Sequence, residues 1–487
     1  PGRPAAILGD GPGVARSSPS AGRHQTLEAT VNHLRRRLSV VDEERAMTGA
    51  GDTVQGRAAG GGRGSAVEAA RDAWRALGAD SQLLVEEVEV LLVDLELRAP
   101  VRTSVGIHRH RPVVFVRVAA RPIDDGPTRG GLRRAAVMGW GECAALADRT
   151  YDADGVEDVL RVLDGELVPG WLAASPRIAR RAGGPRLPLL LPPSVLADLP
   201  ELAPCAAEHP LAMAALEMAV ADAHLRAADT SWSRLLGVEG RRVPAGAVVG
   251  RQGTVAALVH QVADLVEGGC TRVKLKIAPD WDVMPVSATT SAFPSVAVQV
   301  DANGAYSARQ VDQVRALDDY GLRCIEQPFG RDELVLHAEV ARTMRTPFCL
   351  DESVGSPEEV RQALRLGACS VVCVKPARLG GLGAALDVLA ECTEQRVPAW
   401  LGGMYETGYA RGVNAALAAL LDGVSSAWPG DLVPAAEYLV EDVVPTGSGS
   451  VPGRRFEIAV ARGPGMGFAP LPAALDRFRR SSVVHRP

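Results

Sequence analysis

Lysine is almost missing from this chain, since only three of its 53 basic residues are lysines and the other 50 are arginines. Surface positions usually accept either base, so arginine stands wherever a positive charge alone is sufficient. The guanidinium of arginine does not release its proton in a protein, whereas the pKa of a lysine falls readily on burial or beside another positive charge. Lys274, Lys276 and Lys375 are therefore candidates for proton transfer, although chance survival is the simpler explanation for any one of them alone.

The chain also lacks the features of several protein classes. A formal net charge of -5 and a pI near 6.1 leave no excess of positive charge for nucleic acid or an anionic membrane surface. We find no run of about 18 apolar residues that would predict a transmembrane helix, and no basic region followed by an apolar stretch that would predict a secretory signal. The eight cysteines form no CxxC pair, which favours a reduced protein over a disulfide framework. The composition therefore predicts a cytoplasmic protein whose partner is a small molecule.

Glycine and alanine dominate one stretch in the first part of the chain, and no apolar period is visible in that stretch. Residues 1 to 83 include the stretch GAGDTVQGRAAGGGRGSA. We expect a flexible extension or an artefact of gene prediction over this range, with short helices around residues 27 to 46 and 65 to 78.

An α+β domain is predicted for residues 84 to 238. Three segments have the pattern of strands and predict a meander; they are VEVLLVDLEL, RPVVFVRVAA and AAVMGWGECAAL. The segment HPLAMAALEMAVADAHLRAADTS then places apolar residues at helical spacing. In the C-terminal segment, residues 431 to 487, we expect EYLVEDVVP and RRFEIAVARGPGMGF to form strands and loops that pack back on this domain.

Short apolar strands alternate with amphipathic helices over residues 239 to 430. The predicted strands are AGAVVG, RVKLKI, VAVQVD, RCIEQ, PFCLD, SVVCVK, PAWLG and VSSAW. Alternating strands and helices imply a parallel sheet, and eight such units favour a TIM-like barrel with its catalytic groups at the C-terminal strand ends. A doubly wound open sheet is the alternative, but no GxGxxG motif follows the first strand.

Charged residues recur at the predicted strand ends with a nearly constant step. Lys276, Asp301, Glu326, Asp351 and Lys375 are separated by 25, 25, 25 and 24 residues. One step of this size is one strand–helix unit, so the five side chains are expected to meet at the same mouth of the barrel. Lys274 lies two residues before Lys276 and is expected to point to the same side of its strand.

Three of these strand-end residues are carboxylates, which together predict an oxygen-lined site for a divalent cation. Mg²⁺ is favoured because water or substrate oxygens can complete its octahedron, and Mn²⁺ is the alternative. Any one carboxylate alone could equally cap a helix or form a surface salt bridge. A metal that holds a substrate carboxylate, beside a lysine of lowered pKa, would permit removal of the neighbouring proton. The arrangement therefore predicts proton abstraction next to a carboxylate, a pattern already described for enolase-type sites.

Six ordered motifs resemble the o-succinylbenzoate synthase and N-succinylamino acid racemase branch of the enolase superfamily. The matching stretches are VKLKIAPDWDVMPV, VDANGAY, IEQPF, TPFCLDESV, LGACSVVCVKPARLGG and WLGGMYETGYAR. The resemblance extends from about residue 88 to about residue 470. It implies a (β/α)7β barrel beneath an α+β capping domain, which the N-terminal and C-terminal segments form together.

The same resemblance implies a role for each matching residue. Asp301, Glu326 and Asp351 would be the metal ligands, and Lys276 and Lys375 would be the acid/base pair. Supporting positions would be Lys274, Asn303 and Glu352, while the backbone of Gly402, Gly403 and Met404 would lie against the substrate. The stretches RTSVGIHRHR and GECAALADRTY resemble two mobile loops that close the mouth, with ordinary surface turns as the alternative. Val248 departs from the family, because relatives tend to have serine there.

The resemblance implies an enzyme that acts on a small carboxylate, expected as a homo-oligomer. The leading hypothesis is dehydration of 2-succinyl-6-hydroxy-2,4-cyclohexadiene-1-carboxylate to 2-succinylbenzoate in menaquinone biosynthesis, through an enediolate. The second is racemisation of N-acylamino acids by the same two lysines. A third, from another class, is a non-catalytic barrel that only binds a ligand; it predicts that Lys276→Arg preserves function.

Overall fold

The computed structural model describes residues 63–79, 83–102, 107–123, 135–181, 187–199, 202–421 and 428–487. Two units are visible, an antiparallel sheet packed with helices and a parallel sheet whose strands alternate with helices. Within the described ranges, none of the helices has the length and apolar character needed to cross a membrane.

Four antiparallel strands form the sheet of the capping domain, in the order β14-β1-β2-β3. Their bounds are β1 Leu83–Arg102, β2 Ile107–Pro122, β3 Val137–Cys143 and β14 Arg479–His485. The predicted three-stranded meander is therefore present, and the C-terminal segment adds its outer strand.

The long helix predicted after the meander is also present, as Pro210–Ala227, and it lies directly on β3. A Cβ added at Gly139 or Gly141 would overlap the helix carbonyl oxygens of Ala219 and Ala215. Glycine at these two positions therefore permits a close approach of the helix to the strand backbone.

Seven parallel strands form the barrel, hydrogen-bonded in chain order from β5 to β11. Their bounds are β5 Ala247–Val249, β6 Arg272–Lys276, β7 Ala297–Asp301, β8 Ile325–Glu326, β9 Phe348–Leu350, β10 Val371–Val374 and β11 Ala399–Leu401. These are the first seven strands predicted from the sequence. The eighth, VSSAW, lies outside the described residues except for Trp428.

Helices alternate with the barrel strands, and several begin at a residue whose side chain caps the helix. Thr254, Ser356 and Thr407 each accept a backbone N–H in the first turn of the helix that follows. The barrel helices are Val255–Glu267, Val283–Ala292, Val311–Arg315, Leu334–Ala341, Pro357–Leu366, Leu382–Glu394 and Gly408–Leu420. The alternation confirms the predicted α/β barrel with a capping domain.

The remaining short elements connect these units. They are the helices Val156–Val162, Val168–Arg181, Ala203–Glu208, Trp232–Leu235 and Pro472–Phe478, a π-helical turn Leu163–Leu167, and the 3-10 turns Pro193–Val195, Ala308–Gln310, Ala316–Tyr320 and Ala435–Glu437.

One correction concerns the extension predicted for residues 1 to 83. A helix, α1, spans Arg63–Ala76 and packs on the barrel helix Leu382–Glu394. Val67 and Trp74 are buried. The Trp74 and Trp232 rings pack edge-on, with their centres 5.7 Å apart. The helix predicted at residues 65 to 78 is thus present and belongs to the folded unit, because its apolar residues recur at helical spacing. The helix predicted at residues 27 to 46 lies outside the described residues.

A second correction concerns the C-terminal segment. EYLVEDVVP is not a strand, since the chain there follows a 3-10 turn and makes a single bridge from Leu439 to Leu97. The strand β13, Arg454–Ala459, pairs with β12, Ser450–Val451, and with β4, Arg242–Pro244, rather than with the capping sheet. The strand that returns to the capping domain is β14, whose sequence RRSSVVH carries too little alternation to predict it.

Candidate active site

The five charged residues at the predicted strand ends lie on one rim of the barrel. Lys276, Asp301 and Glu326 are the last residues of β6, β7 and β8, and they pair in register, Lys276 with Asp301 and Asp301 with Glu326. Asp351 and Lys375 directly follow β9 and β10. Parallel strands present their carboxyl ends at the same edge, so the near-constant spacing becomes a convergent set of side chains.

Lys276 occupies the more open side of this rim. Its Nζ lies 2.6 Å from Asp301 Oδ2 and donates to Asn303 Oδ1 at 2.7 Å, and 31% of its side chain is exposed. Asn303 also donates from Nδ2 to Glu352 Oε1 at 2.9 Å. Asn303 therefore links Lys276 to Glu352, two of the residues that the sequence singled out.

Lys274 lies one layer deeper and is buried. Its Nζ is 2.6 Å from Asp431 Oδ2, 3.0 Å from Glu326 Oε2 and 3.2 Å from Asp301 Oδ2. Burial by itself would lower the pKa of Lys274, but the three carboxylates outweigh it and raise that pKa well above its usual value. Lys274 is therefore a fixed positive charge beneath the carboxylates.

Lys375 faces the carboxylates from the other side and is enclosed. Only 5% of its side chain is exposed, and its Nζ lies 2.8 Å from Asp351 Oδ2. Burial would lower the pKa of Lys375, yet Asp351 outweighs it and the pKa is raised. With these neighbours neither Lys274 nor Lys375 has a lowered pKa, because each has carboxylates within hydrogen-bonding distance. A lysine pKa lowered by a bound metal stays a prediction.

Two residues that the sequence reasoning missed, Tyr151 and Arg378, contact the Lys375–Asp351 pair. The Tyr151 hydroxyl forms hydrogen bonds with both Lys375 Nζ and Asp351 Oδ2, and the Lys375 ammonium lies 4.4 Å from the centre of the Tyr151 ring. Arg378 pairs with Asp351 through Nη1 and donates from Nε to Asp152 Oδ1 at 2.9 Å. Tyr151 lies in the GECAALADRTY stretch, so this loop does reach the mouth. Residues 103–106 of the other predicted loop lie outside the described residues.

The three carboxylates are almost fully buried, each with at most 1% of its surface exposed. Burial and the charge of Asp301 raise the pKa of Glu326 to about 8. Burial would raise the pKa of Asp301 and Asp351 too, but the lysines beside Asp301, and Arg378 and Lys375 beside Asp351, lower it instead. Asp301 and Glu326 both approach the single cationic atom Lys274 Nζ within 3.2 Å. Buried carboxylates whose oxygens already lie around one positive charge are suited to bind a divalent cation.

One potential ligand group includes a residue that was not predicted. Among the described residues, a carboxylate oxygen of Glu326, one of Asp351 and the Sγ of Cys373 lie within 4.8 Å of one another. Asp301 is not part of this group; its carboxylate accepts from Lys276 at 2.6 Å and from the Asn303 backbone N–H at 3.0 Å. The predicted oxygen triad and this group of three therefore share Glu326 and Asp351.

The segment after β11 approaches Lys375 closely. A Cβ added at Gly402 would overlap Lys375 Cε, and one at Gly403 would lie 2.5 Å from the Asp431 carbonyl oxygen. The Met404 side chain is buried in the core of the capping domain. Contact of this backbone with substrate stays a prediction, as does any effect of Val248, which is 40% exposed on β5.

The comparisons with known proteins agree with this architecture. Residues 257–474 match the family described as enolase C-terminal domain-like. The chain is 37% identical over 403 residues to an N-succinylamino acid racemase from Amycolatopsis, covering 81% of this chain and 98% of the relative. It is 33% identical over 403 residues to an o-succinylbenzoate synthase from Geobacillus stearothermophilus, covering 82% and 98%. The solved structure of an enolase superfamily member from Listeria innocua has a TM-score of 0.71 at 27% identity, covering 83% of this chain and 99% of that one.

Proposed function

This chain belongs to the enolase superfamily, in the branch of o-succinylbenzoate synthases and N-succinylamino acid racemases, and from that premise we propose that it is an o-succinylbenzoate synthase. It would convert 2-succinyl-6-hydroxy-2,4-cyclohexadiene-1-carboxylate to 2-succinylbenzoate and water in menaquinone biosynthesis. The observation that carries the proposal is the unequal exposure of the two lysines that flank the buried carboxylates. The Lys276 side chain is 31% exposed, whereas that of Lys375 is 5% exposed and contacts Tyr151.

The carboxylates supply the site for the metal. Asp301, Glu326 and Asp351 would hold Mg²⁺, with Mn²⁺ as the alternative. When bound, the metal would neutralise the substrate carboxylate and lower the cost of placing a second negative charge beside it. Lys274, Asn303 and Glu352 would orient these ligands through the hydrogen bonds described above.

Lys276 is suited to carry the proton because part of its side chain faces the open mouth. In its neutral form the amine would take the proton next to the substrate carboxylate. The resulting ammonium would return that proton to the departing hydroxyl, which leaves as water and allows the ring to become aromatic. Asp301 and Asn303, at 2.6 and 2.7 Å, would hold Nζ in place throughout.

Lys375 is suited to hold charge. Its ammonium is fixed by Asp351 and enclosed by Tyr151, so it would face the substrate from the opposite side and stabilise the negative charge that develops there. Gly402, Gly403 and Met404 would contribute backbone on the same side.

Racemisation of N-succinylamino acids is the second candidate, and the two lysines on opposite sides of the carboxylates favour it. One lysine would remove the α-proton from one face and the other would deliver a proton to the opposite face. The identities of 37% to a racemase and 33% to a synthase are too close to separate the two reactions.

Comparison of kcat/KM for the two substrates on one purified sample distinguishes the candidates. A higher value for the cyclohexadiene carboxylate supports the synthase. A clear preference for an N-succinylamino acid would overturn the synthase assignment in favour of the racemase.

A further inference from the structure

Cys373 lies in the barrel interior directly below the rim. It is on β10, two residues before Lys375, and residues two apart on a strand point to the same face. Only 1% of its surface is exposed. The thiol therefore faces the inside of the barrel, one layer beneath the candidate active site.

Two carboxylates and this thiol already lie close together. One oxygen of Glu326, one of Asp351 and the Cys373 Sγ are within 4.8 Å of one another. Ligand atoms around a tetrahedral zinc ion are roughly 3.3 to 3.7 Å apart, so small side-chain movements would bring the three into contact with one cation.

The Cys373 thiol also differs from three other thiols in its hydrogen bonding. Among the described residues no hydrogen bond to the Cys373 Sγ is found, whereas Cys143, Cys270 and Cys349 each donate one to a backbone carbonyl. Gly402 directly follows the neighbouring strand β11. A Cβ added at Gly402 would lie 2.7 Å from the Cys373 Sγ, so glycine at this position avoids a clash with the sulfur.

We propose that Glu326, Asp351 and Cys373 form a binding site for a thiophilic divalent cation such as Zn²⁺ or Cd²⁺. Sulfur is a poor ligand for Mg²⁺ and a strong one for these softer ions. The two ligand sets share Glu326 and Asp351, so the softer cation excludes Mg²⁺ and inhibits the enzyme, whichever of the two reactions it catalyses. Asp301 lies outside this group of three and would belong only to the oxygen site.

Titration with Cd²⁺ tests this site without relying on activity. The full chain is stripped of metal, kept in a reductant that contains no thiol, and titrated while the sulfur-to-cadmium absorption in the ultraviolet is recorded. We expect a saturable band at one equivalent for the wild type, and no such band for Cys373→Ser or Cys373→Ala. Mg²⁺ added first should raise the apparent Kd for Cd²⁺.

Cys349→Ser is the matched control, because Cys349 is buried in the same interior cluster on the neighbouring strand and should keep the band. Glu326→Gln leaves all eight thiols in place and should weaken Cd²⁺ binding by at least the roughly 10- to 100-fold that loss of a supporting residue costs. Circular dichroism confirms that each variant is folded. A wild-type band that survives in both Cys373 variants, an absent wild-type band, or unchanged affinity in Glu326→Gln would each overturn the proposal.

Discussion

The two lysines that flank the carboxylates have similar partners and different surroundings. Lys276 and Lys375 each contact one aspartate, at 2.6 and 2.8 Å. The Lys276 side chain is 31% exposed at the mouth, whereas that of Lys375 is 5% exposed and covered by Tyr151 from the capping domain. A lysine that must exchange protons needs access to substrate, and one that holds charge gains from exclusion of water. From this asymmetry we propose different tasks for two chemically identical side chains.

Replacement of the exposed lysine should have the largest effect. Lys276→Arg keeps the positive charge but removes a proton that can be transferred. We expect kcat for dehydration to fall by at least about 10²- to 10⁴-fold, while calorimetry still detects Mg²⁺ binding. Turnover close to that of the wild type would refute the role of Lys276 and favour a barrel that only binds its ligand.

Replacement of the enclosed lysine should have unequal effects on the two reactions. Racemisation needs a proton carrier on each face, so Lys375→Arg should reduce racemisation of an N-succinylamino acid by about 10²- to 10⁴-fold. Dehydration needs mainly the positive charge at this position, which arginine keeps, so kcat for dehydration should fall only about tenfold. Assays of both substrates measure this difference, with Lys375→Ala, expected to lose both activities, as the control. Racemisation that survives in Lys375→Arg would contradict a role for this lysine in proton transfer.

Addition of a methyl group at Gly402 should disturb only the enclosed side. The new Cβ overlaps Lys375 Cε, so we expect Gly402→Ala to lower the free energy of unfolding by about 1–3 kcal/mol and to reduce kcat. Gly253→Ala is the control, because no atom lies within 4 Å of its added Cβ. Urea denaturation of both variants measures the difference, and equal stability would show that the space beside Lys375 is not restricted.

Removal of the Tyr151 hydroxyl should have the smallest effect. Tyr151→Phe keeps the ring over Lys375 but deletes the hydrogen bonds to Lys375 and Asp351. A net hydrogen bond contributes about 1 kcal/mol, so kcat/KM should fall about fivefold. Tyr320→Phe, on the 3-10 turn Ala316–Tyr320, should leave steady-state kinetics unchanged. A greater than 100-fold loss in Tyr151→Phe would mean that the hydroxyl takes part in the chemistry.

The barrel and the residues of its rim could be predicted from the sequence because one repeating unit generates both. Each strand–helix unit returns the chain to the same edge, so a step of 25 residues places Asp301, Glu326 and Asp351 side by side. Local spacing was sufficient, and no contact between distant segments had to be known.

The enclosure of Lys375 could not be predicted in this way. Tyr151 and Lys375 are 224 residues apart, and their contact depends on how the capping domain sits over the barrel. The same limit applies to Asp431, which reaches Lys274 from beyond the predicted strand ends. β14 was missed for a different reason, because an outer strand exposed on most of its length carries little apolar alternation.

Dehydration by Lys276→Arg and by Lys375→Arg, measured side by side at saturating Mg²⁺, tests most directly whether the exposed lysine carries the proton. We expect kcat to fall at least about tenfold further in Lys276→Arg than in Lys375→Arg, because only the first variant loses its proton carrier. Equal losses, or a larger loss in Lys375→Arg, would contradict the division of tasks between the two lysines.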